Sequence, residues 1–512
     1  MSNSMLLAVV TLALLASLAV RQFFDRRRRQ GLPLPPGPRP LPFIGNVLDL
    51  PTKSPWVTYA QWGKTYGGII SVNALGQPIV ILNSAKIARD LLEKRGALYS
   101  DRPLIPMLDL MGFDVFNLTM RRYSEEWRVG RRIADHCLRL SAVATYLPMQ
   151  KAKSDRLLRQ LLRQPEDFVE HIRHYTAAIA MSLAYGYEIA EANDRYVAIA
   201  EDAISKAVAS VLPGARLVNV VPALRHLPAW LPGMGFKRYA REVARLTDDM
   251  VNLPFAFVKE EMRNGTARPS LARESLEAYQ GDGPSEDEEN MIKYVAATIY
   301  AAGADTTVSV LSTFFLVLTL FPETQRRAQA ELDAVVGPDR LPEYADRDQL
   351  PYVDALCMEL MRWKLVTPFA IVHQSTEDDV YDGYFIPKGT MVMPNTWAML
   401  HDPEAYPDPE AFRPERFLTA SGAVREDPLL VSAFGYGRRL CPGRHVADTM
   451  MWIVVASVLA AFSVSRAKDA AGREIAVGCE YTDSLVSHPL PFRCAIAPRD
   501  QRAEELVRAT EL

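Results

Sequence analysis

The sequence predicts a mainly α protein, with a large helical body, a smaller β-rich part and a single N-terminal transmembrane helix. Three observations carry this. Residues 5–20 are an apolar run followed by Arg26-Arg27-Arg28-Arg29, the pattern of a membrane anchor. Helical patterning dominates residues 145–265 and returns without a break over 285–321. Two short stretches, 69–82 and 380–385, read as β-hairpins, the second through Asp382-Gly383.

The totals bound the function. With 512 residues, 49% of them hydrophobic, the chain can bury a large core. That length suggests two or more domains, although some large folds are one continuous body. A net charge of -3 makes nucleic acid an unexpected partner. Cys137, Cys357, Cys441, Cys479 and Cys494 are scattered without paired spacing. That argues against a disulfide framework and fits a reducing compartment. No Cys/His cluster has zinc spacing, and no repeat of solenoid period is present.

The apolar run is slightly short of the ~20 residues a span needs. Phe23, Phe24 and a snorkelling Arg21 make up the difference. A cleaved signal peptide is the competing reading, but its charge precedes the apolar stretch, and here the charge follows. The positive flank leaves the body cytosolic. We expect an anchor at 1–24, a basic and proline-rich hinge at 25–42, and the body at 43–512. Proline density over 32–42 forbids helix and predicts a stiff spacer that sets the body's angle to the bilayer.

Beyond the first hairpin, turning at Ala74-Leu75-Gly76-Gln77, Ser84 is expected to cap a helix reaching about Arg95. Residues 101–118 form an irregular apolar loop that must be covered or cover something. Trp127 and Arg131 share a helix face, where an indole N–H and a guanidinium fork suit a carboxylate. Arg121, Arg122, Arg128 and Arg132 add a basic surface, or simply a solvated face. Apolar breaks at 211–214 and 230–236 either roof a pocket or dip into a membrane.

The longest helix opens with a capping box, Ser285 and Glu288, and stops before Pro322, about 50 Å on. From Val295 it is apolar nearly all round, so it runs through the core. Its middle is Ala302-Gly303-Ala304-Asp305-Thr306-Thr307. Gly, Asp and Thr are poor residues for a buried helix centre, and a buried carboxylate is costly unless paired. Rules broken together mark a functional site: Gly303 opening a groove, Asp305 and Thr306 delivering protons to a ligand. Pro322 starts a further helix that Gly337 ends. Another, over 351–365, carries Glu359 and Arg362. These can pair at i, i+3, and Arg416 can supply a second cation. His373 alone reads as a satisfied core histidine.

Phe434-Gly435-Tyr436-Gly437-Arg438-Arg439-Leu440-Cys441-Pro442-Gly443 is the remaining oddity. Its glycines allow a tight turn with space above it. Arg438 and Arg439 put positive charge beside the sulfur and favour thiolate. A thiolate in such a loop suits an axial ligand of haem iron, and the competing reading is an inert thiol in a turn.

These motifs agree in identity, order and distance with a known family. The Cys441 loop matches the haem signature Phe-x-x-Gly-x-Arg-x-Cys-x-Gly at every fixed position. Glu359-x-x-Arg362, the Pro-Glu-Arg-Phe at 414–417, Ala302-Gly303-x-Asp305-Thr306 and Trp127-x-x-x-Arg131 complete the set. The chain resembles a microsomal cytochrome P-450 over essentially its whole length, and within that family the basidiomycete branch described as O-methylsterigmatocystin-oxidoreductase-like. The branch likeness rests on 91–96, Tyr99-Ser100 and 434–439.

The resemblance implies the cytochrome P-450 fold and a haem b cofactor with Cys441 as proximal thiolate and Phe434, Gly437 and Gly443 shaping its loop. It implies Trp127, Arg131, His373 and Arg439 on the haem propionates, Asp305 and Thr306 as the proton relay, and Glu359, Arg362 and Arg416 as a structural triad. A lipophilic pocket is expected from Ile105, Phe116, Val211, Tyr300, Ala301, Ala304, Phe369, Ile371 and Leu485. The implied activity is monooxygenation of a lipophilic small molecule with O2, in fungal terpenoid or aromatic secondary metabolism. Its electrons come from NADPH through NADPH-cytochrome P-450 reductase, with cytochrome b5 as an optional second partner. The implied location is the endoplasmic reticulum membrane, single-pass, with the catalytic body cytosolic. Arg128, Arg132, Arg438 and Arg444 form the expected docking face for an acidic reductase. The alternatives are a haem-thiolate isomerase or dehydratase that uses no O2, whose relatives often lose the acid-alcohol pair, and a non-enzymatic haem-binding protein.

Overall fold

The computed structural model describes residues 27–211, 215–279 and 283–511. The expected anchor, residues 1–24, lies outside them. So do 212–214 of the first apolar break.

Helices dominate. We label α1 Pro55–Tyr66, α2 Glu125–Leu138, α3 Leu147–Arg163, α4 Phe168–Tyr185, α5 Arg195–Val211 and α6 Phe236–Asn264. The series continues with α7 Leu271–Glu277, α8 Glu286–Leu320, α9 Pro322–Val335, α10 Pro351–Trp363, α11 Arg444–Ala461 and α12 Gln501–Ala509. α8 is the axle of the helical body: α4, α2, α6, α7 and α11 pack around it. The capping box holds its start. Ser285 Oγ accepts from the Glu288 N–H, and the Glu288 carboxylate accepts from the Ser285 N–H at 2.9 Å. From Thr307 to Thr319 every residue is buried, as an all-round apolar helix requires. α8 and α11 are long and apolar enough to cross a membrane, yet 67% of each such window is buried, as in core helices.

The smaller part is a four-stranded sheet in the order β1-β2-β6-β3. β1 Ile69–Ala74 and β2 Gln77–Leu82 form the expected hairpin, with Ile69 opposite Leu82. β6 Met391–Pro394 runs parallel to β2, and β3 His373–Gln374 runs antiparallel to β6. β4 Asp379–Tyr381 and β5 Tyr384–Ile386 make the Asp-Gly hairpin, with positive φ at both turn residues, as its tight turn demands. β7 Phe462–Arg466 pairs with β8 Cys494–Pro498.

Three local expectations change. Ser84 precedes a helix but makes no side-chain cap; only Ala85–Ala88 is α, and Arg89–Lys94 widens to a π-helix. The 101–118 loop contains two short helices, Pro106–Leu110 and Phe113–Phe116, which bury Met107, Met111 and Phe116 against the helical body. The proline-rich hinge is not a free spacer. Proline lacks a donor but keeps its carbonyl, and the segment docks through those carbonyls. Pro33 O accepts from Phe385 N at 2.8 Å, Pro36 O from Ser71 N at 2.8 Å, and Pro35 O from Ser71 Oγ at 2.6 Å. A Cβ on Gly37 would stand 2.1 Å from Ser71 O, so glycine is required for this approach.

Candidate active site

The Cys441 loop lies where the two parts meet. Tyr436 packs into the sheet-side cluster with Leu91, Leu92 and Tyr99 and bonds Thr396 Oγ1 at 3.0 Å. A Cβ on Gly437, at φ +52°, would lie 2.2 Å from Leu92 O, so only glycine closes this turn. The Cys441 N–H donates to Phe434 O at 2.9 Å and folds the loop back on itself. Gly443 is the N-cap of α11, which places the sulfur at the start of an 18-residue helix, where negative charge is favoured. Burial pushes the Cys441 thiol up, opposed by the N–H groups of Gly443 and Arg444 and by the charges of Arg131 and Arg444. The sequence assigned that electrostatic role to Arg438 and Arg439, which turn elsewhere. Arg438 bonds the Tyr123 hydroxyl, and Arg439 goes to backbone carbonyls.

Beside the loop is a buried cluster of positive charge. Arg439 donates to Ser100 O at 2.8 Å, Leu118 O at 3.1 Å and Arg121 O at 2.8 Å, and its guanidinium carbon lies 4.2 Å from the Trp127 ring centroid. Arg102, 3% exposed, donates to Thr119 O, Ile371 O and Val372 O. Burial and Arg439 pull Arg102 well below the ordinary arginine value, and burial pulls Arg439 down to about 10. His373 is buried and donates from Nδ1 to Tyr99 O at 2.7 Å. Burial, Arg102 and Arg439 hold it neutral, well below its usual range. Two guanidinium groups bonded here to carbonyls rather than carboxylates call for an anion. This donor set fits a ligand with acidic arms. Trp127 differs from its expected part: its indole N–H donates to Leu118 O at 3.0 Å. Arg131 pairs with Asp135 at 3.0 Å.

Sequence reading missed Arg102. Its signal was the one cation in a loop rich in apolar residues.

At 3.6 residues per turn the middle of α8 has two faces. Tyr300, Gly303, Ala304 and Thr307 turn toward α4. Thr176 Oγ1 of α4 donates to Ala304 O at 2.8 Å, and a Cβ on Gly303 would meet Ala180 Cβ at 3.7 Å. Gly303 therefore serves helix packing rather than a groove. Tyr300 is 2% exposed and couples electrostatically to Tyr185 of α4, so it points away from the expected pocket. The opposite face holds Thr298, Ala301, Ala302 and Asp305, with Thr306 at its edge. Ala302 is exposed there, at the centre of a core helix, which leaves room for a flat group. Thr306 Oγ1 donates to Ala302 O at 2.8 Å. Asp305 accepts from His488 Nε2 at 3.1 Å and lies 3.7 Å from Arg173. Burial pushes the Asp305 carboxyl up, but His488 and Arg173 outweigh it and hold the group below its usual value. Neither His488 nor Arg173 was anticipated, because both are remote in sequence.

Other expected pocket residues scatter. Thr298 Oγ1 donates to Phe116 O at 3.0 Å, which brings the Phe113–Phe116 turn onto the open face of α8. Ile105 and Val211 pack at the margin of the helical core, and Leu485 is 37% exposed. Phe369 belongs to the sheet side instead, 5.6 Å from the Tyr59 ring and 6.0 Å from Trp56. Ile371 contributes its carbonyl to Arg102.

Glu359, Arg362 and Arg416 do come together. Glu359 accepts from Arg362 at 2.6 and 2.9 Å and from Arg416 at 3.1 Å. Of the expected docking arginines, Arg128 and Arg132 are exposed and face Glu125, whereas Arg444 is part-buried and bonds Cys441 O at 3.1 Å.

Comparison with known proteins agrees with this geometry. The family described as "Cytochrome P450" matches residues 35–492. Cytochrome P450 monooxygenase 208 of Postia placenta is 43% identical over 97% of this chain and 96% of its own. Cytochrome P450 monooxygenase ple1 of Rhodocybe pseudopiperita is 42% identical, over 99% and 97%. Tryptamine 4-monooxygenase of Psilocybe cyanescens is 41% identical, over 96% and 98%. These relatives are basidiomycete, as the branch resemblance implied. A cysteine loop seated at a helix start, a cationic cradle beside it and fungal monooxygenase relatives along the full chain agree: this protein belongs to the cytochrome P450 family and is a monooxygenase of the oxidoreductase class.

Proposed function

We propose that the protein hydroxylates or oxidises a lipophilic small molecule with O2 and NADPH-derived electrons, in fungal secondary metabolism. The observation that carries the reading is the Cys441 sulfur at the start of α11, beside the buried Arg102–Arg439 pair. Cys441 would hold haem b as its proximal ligand, and Phe434, Gly437 and Gly443 shape the loop that presents it. Arg102, Arg131, Arg439 and His373 would receive the two propionates. A carboxylate there offsets the guanidinium charges that keep His373 neutral, and Trp127 braces Arg439 with its ring. Haem bound through a thiolate supplies oxygen activation at iron. Asp305 and Thr306 would pass protons from solvent to the open face of α8 at Ala302. Ala301, Phe116, Ile105, Val211 and Leu485 would border the substrate, and their mostly apolar character suits a lipophile. A relative named for tryptamine makes an aromatic substrate a reasonable member of that class.

Electrons would arrive from NADPH-cytochrome P-450 reductase at the face carrying Arg128, Arg132 and Arg438, with cytochrome b5 as a second donor. The 1–24 anchor would place the protein in the endoplasmic reticulum membrane with its body cytosolic. Leu217 at 66% and Trp230 at 80% exposure suit the same bilayer. The test is expression with the reductase in microsomes, fed with host metabolite extract. The reduced carbon monoxide complex should show the thiolate-shifted Soret band, and a new oxygenated product should appear only with NADPH and O2. A folded protein without that band overturns the reading, and turnover under anaerobic conditions overturns the monooxygenase chemistry.

A further inference from the structure

Asp305, Ser309 and Thr313 stand four residues apart along α8 and so form one polar stripe leading into its buried half. Each bonds the same C-terminal segment. Asp305 accepts from His488 at 3.1 Å, Ser309 Oγ donates to Ser487 O at 2.5 Å, and Thr313 Oγ1 lies 3.0 Å from the Tyr481 hydroxyl. The turn between these points is closed on itself. Thr482 N donates to His488 O at 2.9 Å, His488 N to Thr482 Oγ1 at 3.0 Å, and Ser487 Oγ to Thr482 O at 3.1 Å. A further bond, Ser487 N to Val366 O at 2.8 Å, ties it to the segment after α10. The imidazole is therefore held by a braced turn, not by a loose loop. The other charges around Asp305 come from two more elements: Arg173 and Glu170 on α4, and Glu201 on α5. Arg173 divides its charge among these acids, which leaves His488 as the group hydrogen-bonded to the Asp305 carboxylate.

We propose that His488 is a positioning residue for proton delivery by Asp305: the turn pinned along α8 presents Nε2 to the carboxylate and fixes the direction in which it points. The proposal rests on the monooxygenase reading. It deepens that reading by assigning a residue that no family motif contains.

The test uses the full chain loaded with haem, the reductase, NADPH and an alkoxycoumarin as probe substrate. His488→Ala should lower product formed per NADPH about tenfold, less than the ~100-fold or more that a positioned proton donor itself contributes, because Asp305 remains in place. Hydrogen peroxide should rise correspondingly, with haem content and KM unchanged. His488→Gln keeps an N–H donor at similar reach and should restore most of the coupling. A second readout needs no turnover. The C–O stretch of the reduced carbon monoxide complex should shift in the same direction in His488→Ala and Asp305→Asn, and stay near wild type in His488→Gln. Wild-type coupling in His488→Ala, failure of His488→Gln to rescue, or a KM that rises with the loss would overturn the proposal. If the wild-type protein oxidises no substrate, the monooxygenase reading fails, and the C–O comparison still decides the role of His488.

Discussion

Glu359 and Asp305 are both carboxylates flanked by two basic side chains, yet their surroundings are opposite. Glu359 and Arg362 have no exposed side-chain surface, and Arg416 has 7%. Both carboxylate oxygens and both forks there are engaged: Glu359 also accepts from the Arg413 N–H at 2.8 Å, and Arg362 also donates to Leu400 O and Pro409 O. Asp305 is 36% exposed, His488 20% and Arg173 40%, and Arg173 makes no closer approach than 3.7 Å. A sealed, saturated pair has nothing left to offer a ligand, and its cost of burial is offset only by complete hydrogen bonding. A half-open pair keeps lone pairs free and exchanges with solvent, as proton transfer requires. A carboxylate between two basic side chains thus makes a joint at Glu359, and at Asp305 it leaves the open geometry that the proposed relay needs.

The largest effect that would test this contrast is on the joint. Glu359→Ala leaves two buried guanidinium groups uncompensated and should cost about 3–5 kcal/mol. We expect little folded, haem-loaded protein, read as loss of the carbon monoxide difference band at equal expression. Asp305→Asn should do the reverse. Thermal stability should stay within about 1 kcal/mol of wild type, since the pair is partly screened, while product per NADPH falls about 100-fold. If both variants merely unfold, the contrast is wrong.

Arg416→Lys is a finer probe. Lysine cannot reproduce the fork that serves Glu359, Pro407 O and Ala411 O, and a loss of about 1–3 kcal/mol is expected in denaturant melts. The smallest effect is on pH dependence. Asp305 is held below its ordinary value, so its contribution to stability is present above that value and fades as pH falls through the depressed one. Below about pH 4 wild-type protein should therefore lose stability slightly more steeply than Asp305→Asn, and identical acid limbs would show that His488 and Arg173 do not stabilise the carboxylate.

Much of this was legible along the chain because it is local. The capping box at Ser285 and Glu288, the Asp382-Gly383 turn and the stop at Pro322 are set by neighbours within a few residues, where backbone sterics and hydrogen bonding decide. The Cys441 loop was legible for the same reason: Gly437 is required by its own positive φ as well as by Leu92. Other assignments went astray where a partner was distant. The Trp127 indole N–H was expected to meet a ligand carboxylate, but Leu118 O takes it. Ala304 sits in a conspicuous motif and Tyr300 just before it, but the packing of α4 turned them away from the open face.

By itself, then, the sequence determined most of the elements, the cysteine loop and the partners in the Glu359 triad, and it singled out Asp305 and Thr306. Only the tertiary structure decided which face of α8 is open, which buried arginines lack a carboxylate, and that His488, far along the chain from Asp305, holds it. The reason is physical. A turn or cap is fixed by torsions and bonds within one or two turns of helix, whereas burial, charge compensation and orientation depend on segments brought together only when the core packs.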